Sequence, residues 1–161
     1  MTVDPGFRQL YEREFPLVFR AAFLLCGDRQ LAEDAAQEAF ARALARWRRL
    51  RTHPSPGGWV TTTALNTVRR ALRGRPSIER ANPGTADLDE ALTLRAAIRE
   101  LPPRQQEAVA LHYLLDMPVA ETAAAMGVDQ GTVKTHLARA RDALARALDE
   151  PDLNDANDVR S

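Results

Sequence analysis

The sequence predicts an all-α protein made of two small helical domains joined by a flexible linker. Three observations lead there. Apolar residues recur three and four positions apart in every long segment, and the one β-branched run, Thr61 to Thr63, lies inside such a helical pattern. Between the helical stretches, residues 74–87 (GRPSIERANPGTAD) hold two Pro and two Gly with little apolar content, which reads as a linker. The division expected is a first domain at 1–75, a linker at 76–87, a second domain at 88–148 and an acidic, disordered tail at 149–161.

The chain has 161 residues and is 45% hydrophobic, enough for real cores in one ordinary domain or two small ones. Its formal net charge is zero. That total hides a segregation: residues 42–75 hold nine Arg and no acid, whereas 149–158 hold five acids and no base. A basic middle suits a polyanionic partner.

Taken in order, residues 5–26 place Phe7, Leu10, Tyr11, Val18, Ala22 and Leu25 at helical spacing, with a kink or interruption expected at Pro16 and a stop near Gly27. Asp28 then caps a helix running to about Trp47, with Ala32, Ala36, Ala39, Phe40, Ala43 and Trp47 along its apolar face. Its opposite face presents Asp34, Gln37 and Glu38 beside small Ala41 and Ala45, so a partner helix could approach closely. The loop THPSPGG follows and is expected to be short and exposed. From Trp59 to Arg73, Val60, Ala64, Val68, Ala71 and Leu72 fall on one side of a helix. Trp59, Thr62, Asn66, Arg69, Arg70 and Arg73 fall on the other, a composition able to stack bases and neutralise phosphates. Beyond the linker a helix runs from Leu88 to about Glu100. Leu101-Pro102-Pro103 starts another, buried through Ala108, Leu111, Leu114 and Leu115.

Residues 119–141, VAETAAAMGVDQGTVKTHLARAR, carry the spacing of a helix-turn-helix. Gly127 tolerates the positive φ that ends the first helix, Asp129 can cap the second, and Val133, Leu137, Ala140 and Leu144 form its buried stripe. The other side carries Thr135, Arg139 and Arg146, flanked by Thr132 and His136 and by Lys134 and Arg141. Those side chains face a DNA groove if the motif is used as such.

Other chemistries find no support. Cys26 has no partner for a disulfide, and His53, His112 and His136 stand singly, without zinc-ligand spacing. No metal or cofactor is expected. There is no phosphate loop and no nucleophile paired with a base, so the chain does not read as an enzyme. No leader and no run long enough for membrane insertion is present, which points to the cytoplasm.

The segments AEDAAQEAFARA (32–43), GGWVTTTALNTVRRALR (57–73), LPPRQQEAVALHYL (101–114) and AETAAAMGVDQGTVKTHLARAR (120–141), in this order, resemble the bacterial extracytoplasmic-function sigma factors of the sigma-70 superfamily. The resemblance implies an initiation factor with a region 2 domain and a region 4 domain. It implies that Asp34, Gln37 and Glu38 dock on the clamp coiled coil of the β′ subunit of core RNA polymerase, with the second domain at the β flap. The loop with Arg51 and His53, together with Trp59, Thr62, Asn66, Arg69, Arg70 and Arg73, would open and hold the minus-ten element of promoter DNA. Thr132, Lys134, Thr135, His136, Arg139 and Arg141 would read the minus-thirty-five element, and an anti-sigma factor would restrain the whole. The family usually carries Arg where this chain has His136. An alternative is a LuxR-type helix-turn-helix regulator, which accounts for 101–148 but leaves the Arg-rich, Trp-bearing 42–75 without a role. A third is a helical adaptor that binds only proteins.

Overall fold

The computed structural model describes residues 2–73 and 88–148, with side chains placed from residue 93 onward in the second stretch. Every element among them is helical. The expected linker and acidic tail lie outside the described residues.

Helix α1 (Pro5–Cys26) starts where Asp4 Oδ1 accepts from the Gly6 amide at 2.8 Å with Pro5 in the first turn, and stops at Gly27, whose φ of 68° is left-handed. Pro16 does not interrupt it. Both Pro16 and Glu12, whose carbonyl loses its amide donor, are exposed, so the missing bond faces solvent and not the core. Helix α2 (Arg29–Ala45) begins under Asp28, whose carboxylate accepts from the Leu31 amide at 3.1 Å. It ends two residues before the expected Trp47, because Arg46 leaves helical geometry at φ −112°, ψ 18°; Trp47 instead opens the single turn α3 (Trp47–Leu50). Helix α4 (Pro56–Leu72) is capped by Ser55 Oγ, which accepts from the Gly58 amide at 3.2 Å. Helices α1, α2 and α4 close around Phe7, Leu10, Val18, Ala39, Phe40, Val60 and Ala64. Alanines dominate the α2 face, so the three helices approach closely, and edge-on aromatic pairs Phe7–Phe40 and Phe7–Trp47 fill the lower end at 6.4 and 5.6 Å.

In the second half, α5 (Leu88–Arg99) leads through Leu101 to α6 (Pro103–Val109), which widens into a π-helical turn at Ala110–Leu114. Asp116 then takes a left-handed φ of 54°, which Asp tolerates better than most residues, and swings the chain into α7 (Val119–Met126). Helix α8 (Gln130–Ala147) follows across Gly127 and Asp129. Of its predicted stripe, Val133, Leu137 and Ala140 are buried, while Leu144 is only half-buried beside buried Ala145, as a 3.6-residue period drifts around the helix axis.

The two halves do not stand apart. One apolar cluster runs through both, joining Ala22, Leu25, Leu65, Val68 and Leu72 to Ile98, Leu101, Val109, Leu111 and Met117.

Gly127 sits at φ 69°, and a Cβ there meets nothing within 4 Å, so substitution is penalised by the backbone alone. Gly127→Ala is expected to lower stability by about 1 to 2 kcal/mol, the cost of a left-handed L-residue. Urea denaturation followed by circular dichroism measures it, and an unchanged midpoint counts against this turn being held in that geometry.

Candidate nucleic-acid interface

The helix-turn-helix is set by local hydrogen bonds. The Val128 amide reaches the Ala123 carbonyl at 3.1 Å across Gly127, and Asp129 Oδ1 accepts from the Thr132 amide at 2.7 Å. The Thr132 amide, and then its side chain, hold the Asp129 carboxyl below its ordinary value. Arg104 of α6 ties the turn to the rest of the domain: one guanidinium nitrogen donates to the Met126 carbonyl at 2.8 Å and another to Glu107 Oε2 at 2.9 Å.

On α8, Lys134, Thr135, Arg139 and Arg141 are exposed and Thr132 and His136 half-buried. The Thr135 hydroxyl donates to the Gly131 carbonyl at 3.0 Å. Arg141 donates to the Tyr113 hydroxyl at 2.8 Å, so its guanidinium is steered along the surface toward the π-helical turn. His136 differs from the expectation of an outward reader, since its Nδ1 is buried without a hydrogen-bond partner. The residue as a whole is half-buried, at the edge of the exposed face.

On the first half, Asp34, Gln37 and Glu38 share an exposed face of α2. Each is engaged along the helix: Gln30 with Asp34 at 2.9 Å, Gln37 with Glu33 at 3.3 Å, and Arg42 with Glu38 at 2.5 Å. Pairs of this spacing on an exposed face contribute only about 0.2 to 0.5 kcal/mol, so a partner can displace them.

The α4 face departs from the expectation of an exposed surface. Arg51, Asn66, Arg70 and Arg73 are exposed, but Trp59, Thr62, Arg69 and His53 are half-buried. Trp59 packs on the first-half core with the Arg46 guanidinium over its ring at 5.9 Å. The Thr62 hydroxyl oxygen is buried without a partner. The loop expected to be exposed is partly covered: Ser55, Gly57 and Gly58 are buried, and the His53 imidazole Nδ1 accepts from the Ser55 amide at 2.9 Å. Arg69 turns to the second half, donating to Gln106 Oε1 at 3.2 Å and pairing with Glu107 Oε1 at 3.3 Å, while also reaching Asn66 Oδ1 of its own helix. Burial pushes its guanidinium below the ordinary value, against the pull of Glu107. Gln106 and Glu107 were not singled out by the sequence, because polar residues opening a helix read as solvent-facing.

Residues 10–77 match sigma-70 region 2 and residues 91–144 match sigma-70 region 4. The ECF RNA polymerase sigma factor SigM of Mycobacterium tuberculosis is 32% identical, over 89% of this chain and 77% of that protein. The chain belongs to the ECF sigma factors. It is also 33% identical to the ECF sigma factor BldN of Streptomyces coelicolor over 89% of the chain, and spans 60% of BldN's length. In fold it is similar to the sigma factor RpoE of Bartonella quintana, solved in complex with the anti-sigma factor NepR, with a TM-score of 0.66, 23% identity, and coverage of 90% of this chain and 98% of that one. Region 2 falls on the half that a LuxR-type regulator leaves without a role, and none of these relatives is of that type. No helix among the described residues of this sigma factor is long and apolar enough to cross a membrane.

The lowered Asp129 carboxyl gives a pH dependence with a definite sign. A folded value below the unfolded one stabilises above the ordinary carboxylate range and loses that contribution as pH falls through the folded value. Wild type should therefore lose stability relative to Asp129→Asn between about pH 5 and about pH 2, since Asn caps as well and does not titrate. Parallel urea midpoints across that range would remove Asp129 as the cap.

Proposed function

We propose that this chain binds core RNA polymerase and directs it to promoters, with residues 1–75 serving polymerase binding and the minus-ten element and residues 88–148 the minus-thirty-five element. The observation that carries this is the pairing, in one chain, of a region 4 helix-turn-helix with exposed Lys134, Thr135 and Arg139 and a region 2 helix α4 with Trp59, Asn66 and Arg70. The exposed face of Asp34, Gln37 and Glu38 supports the clamp coiled coil of β′ as the docking partner, and the second domain would meet the β flap. The chain acts in the cytoplasm without catalysing a reaction, and family membership makes an anti-sigma protein a further partner.

The direct test is whether purified chain with core polymerase starts transcripts from a defined promoter when core alone does not. Reversing Glu38 to Arg together with Gln37→Ala should weaken core binding while leaving helix content intact, because neither side chain is buried. Equal recovery of core by mutant and wild type in a pull-down sinks that assignment.

Readout by α8 can be divided between two arginines. Arg139 is exposed one turn past Thr135, and Arg is the usual bidentate partner of guanine, worth about 1 to 3 kcal/mol of discrimination. Arg146 lies in the last turn of the helix, where phosphate is the contact within reach. Arg139→Ala should change the preferred base at one position, whereas Arg146→Ala should weaken all sequences alike and lower the salt slope by about one. Binding across a minus-thirty-five library at two salt concentrations separates them, and an unaltered preference in the Arg139 variant excludes it from base readout.

A further inference from the structure

The two halves meet along a seam, and at one end of it the last turns of α4 and α5 open onto a cleft of about 310 Å3. Arg69 and Arg73 line it from α4, Arg99 from α5 and Gln106 from α6, while Leu72 and Leu101 form an apolar wall. Among the described residues no carboxylate lines it. Some of its polar groups are already engaged: Arg99 Nε donates to the Leu25 carbonyl at 2.9 Å, and Gln106 Nε2 donates to the Ile98 and Arg99 carbonyls at 3.0 Å each. Arg73 is exposed and has no acidic partner among the described residues.

Even with Arg99 left out, positive charge is in excess here. Arg69, Arg73 and Arg104 bring one charge each, against one from Glu107, which Arg69 and Arg104 share at 3.3 and 2.9 Å. The carboxyl end of α4 adds only about half a negative charge. Burial holds the Arg69 guanidinium below its ordinary value; Glu107 opposes that, and the neighbouring Arg73 charge adds to it. Arg69 and Arg73 stand one turn apart on α4, so their forks can take two anionic groups side by side, and guanidinium forks suit phosphate oxygens in particular. The volume lies at the lower end for small-molecule sites.

We propose that this cleft binds a small phosphate ester with two linked phosphoryl groups, a nucleoside diphosphate in class, its phosphates on Arg69 and Arg73 and its organic part against Leu72 and Leu101. Because the walls come from both halves, an occupant stabilises their contact and is released when they part. Such binding stands whether or not α4 serves DNA.

The probe is ADP, titrated against the full chain by calorimetry at low salt without divalent cations, with inorganic pyrophosphate, inorganic phosphate and adenosine as separate arms. ADP should bind at a single site and raise the thermal midpoint as its concentration rises. Pyrophosphate should bind more weakly, phosphate more weakly again, and adenosine not measurably. Arg73→Ala should weaken ADP binding about tenfold, the loss that goes with one charge-assisted hydrogen bond. Arg48→Ala removes the same charge from the exposed surface of α3, outside the cleft lining, and should bind ADP as wild type does. Arg73 is exposed, so the midpoint without ligand checks that the fold is kept; if alanine lowers it, Arg73→Gln repeats the test with a longer side chain. Absence of saturable ADP binding overturns the site. Equal losses in the Arg73 and Arg48 variants overturn it too, since attraction to net charge then accounts for the binding. Pyrophosphate binding as tightly as ADP overturns the nucleotide as the occupant.

Discussion

Much of this structure depends on how closely the first turn of α4 can be approached from two sides. Gly57 faces the Glu14 carboxylate of α1, where a Cβ would come within 3.1 Å, and Gly58 faces Ala125 of α7. With both side chains absent, the amino end of α4 lies between the two halves and belongs to each. Ser55 shows the consequence in one residue: its hydroxyl caps α4 by accepting from Gly58 and lies in reach of Met117 at the entrance to the helix-turn-helix. The Met117 carbonyl in turn receives His112 and Thr122. The start of α4 and the turn that launches α7 are thereby fixed in one hydrogen-bonded run.

The polar part of the seam would be expensive if it held its charges in only one way. Burying an ion pair repays its desolvation only when geometry and further hydrogen bonds are good, and breaking it strands a charge. Here Arg69 has Asn66, Gln106 and Glu107 around it, and Glu107 has Arg69 and Arg104. Distributing the bonds over both sides of the seam lowers the cost of separation without weakening the closed arrangement. Apolar Leu65, Val68 and Leu72 supply the cohesion, and the charges supply the register.

Local chemistry was legible in the sequence, and long-range pairing was not. Gly127 as a left-handed stop, Asp28 and Asp129 as caps, and the Ala32 to Ala43 face of α2 follow from one residue type at one spacing, and the structure places them as expected. The same rules misjudged the loop before α4. Pro and Gly there were read as breakers that solvate a turn, whereas Gly57 and Gly58 serve close contact and Ser55 is buried. Arg69, sorted by its polarity with the outward side chains of α4, stands only about 60° from Leu72 on a 3.6-residue period and so flanks the apolar stripe. Periodicity describes one helix against one core, and it has no means of announcing a second core pressed against the polar side. Gln106, Glu107 and Arg95 escaped for that reason, since a buried polar residue is marked only by its partners.

Geometry then sets a limit on what the closed arrangement can do in promoter recognition. Elements at minus ten and minus thirty-five are about 25 base pairs apart, which at 3.4 Å per base pair is about 85 Å along a duplex. A compact chain of this length has a radius of gyration of about 15 Å. No compact form reaches both elements at once. Reading two elements therefore requires the seam between α4 and α6–α7 to part. The surface released by that parting holds Leu65, Val68, Leu72, Ile98 and Val109, which water does not accommodate cheaply. Exposing that surface carries a hydrophobic cost that a partner covering it would offset, a part that falls to core polymerase under the function proposed above.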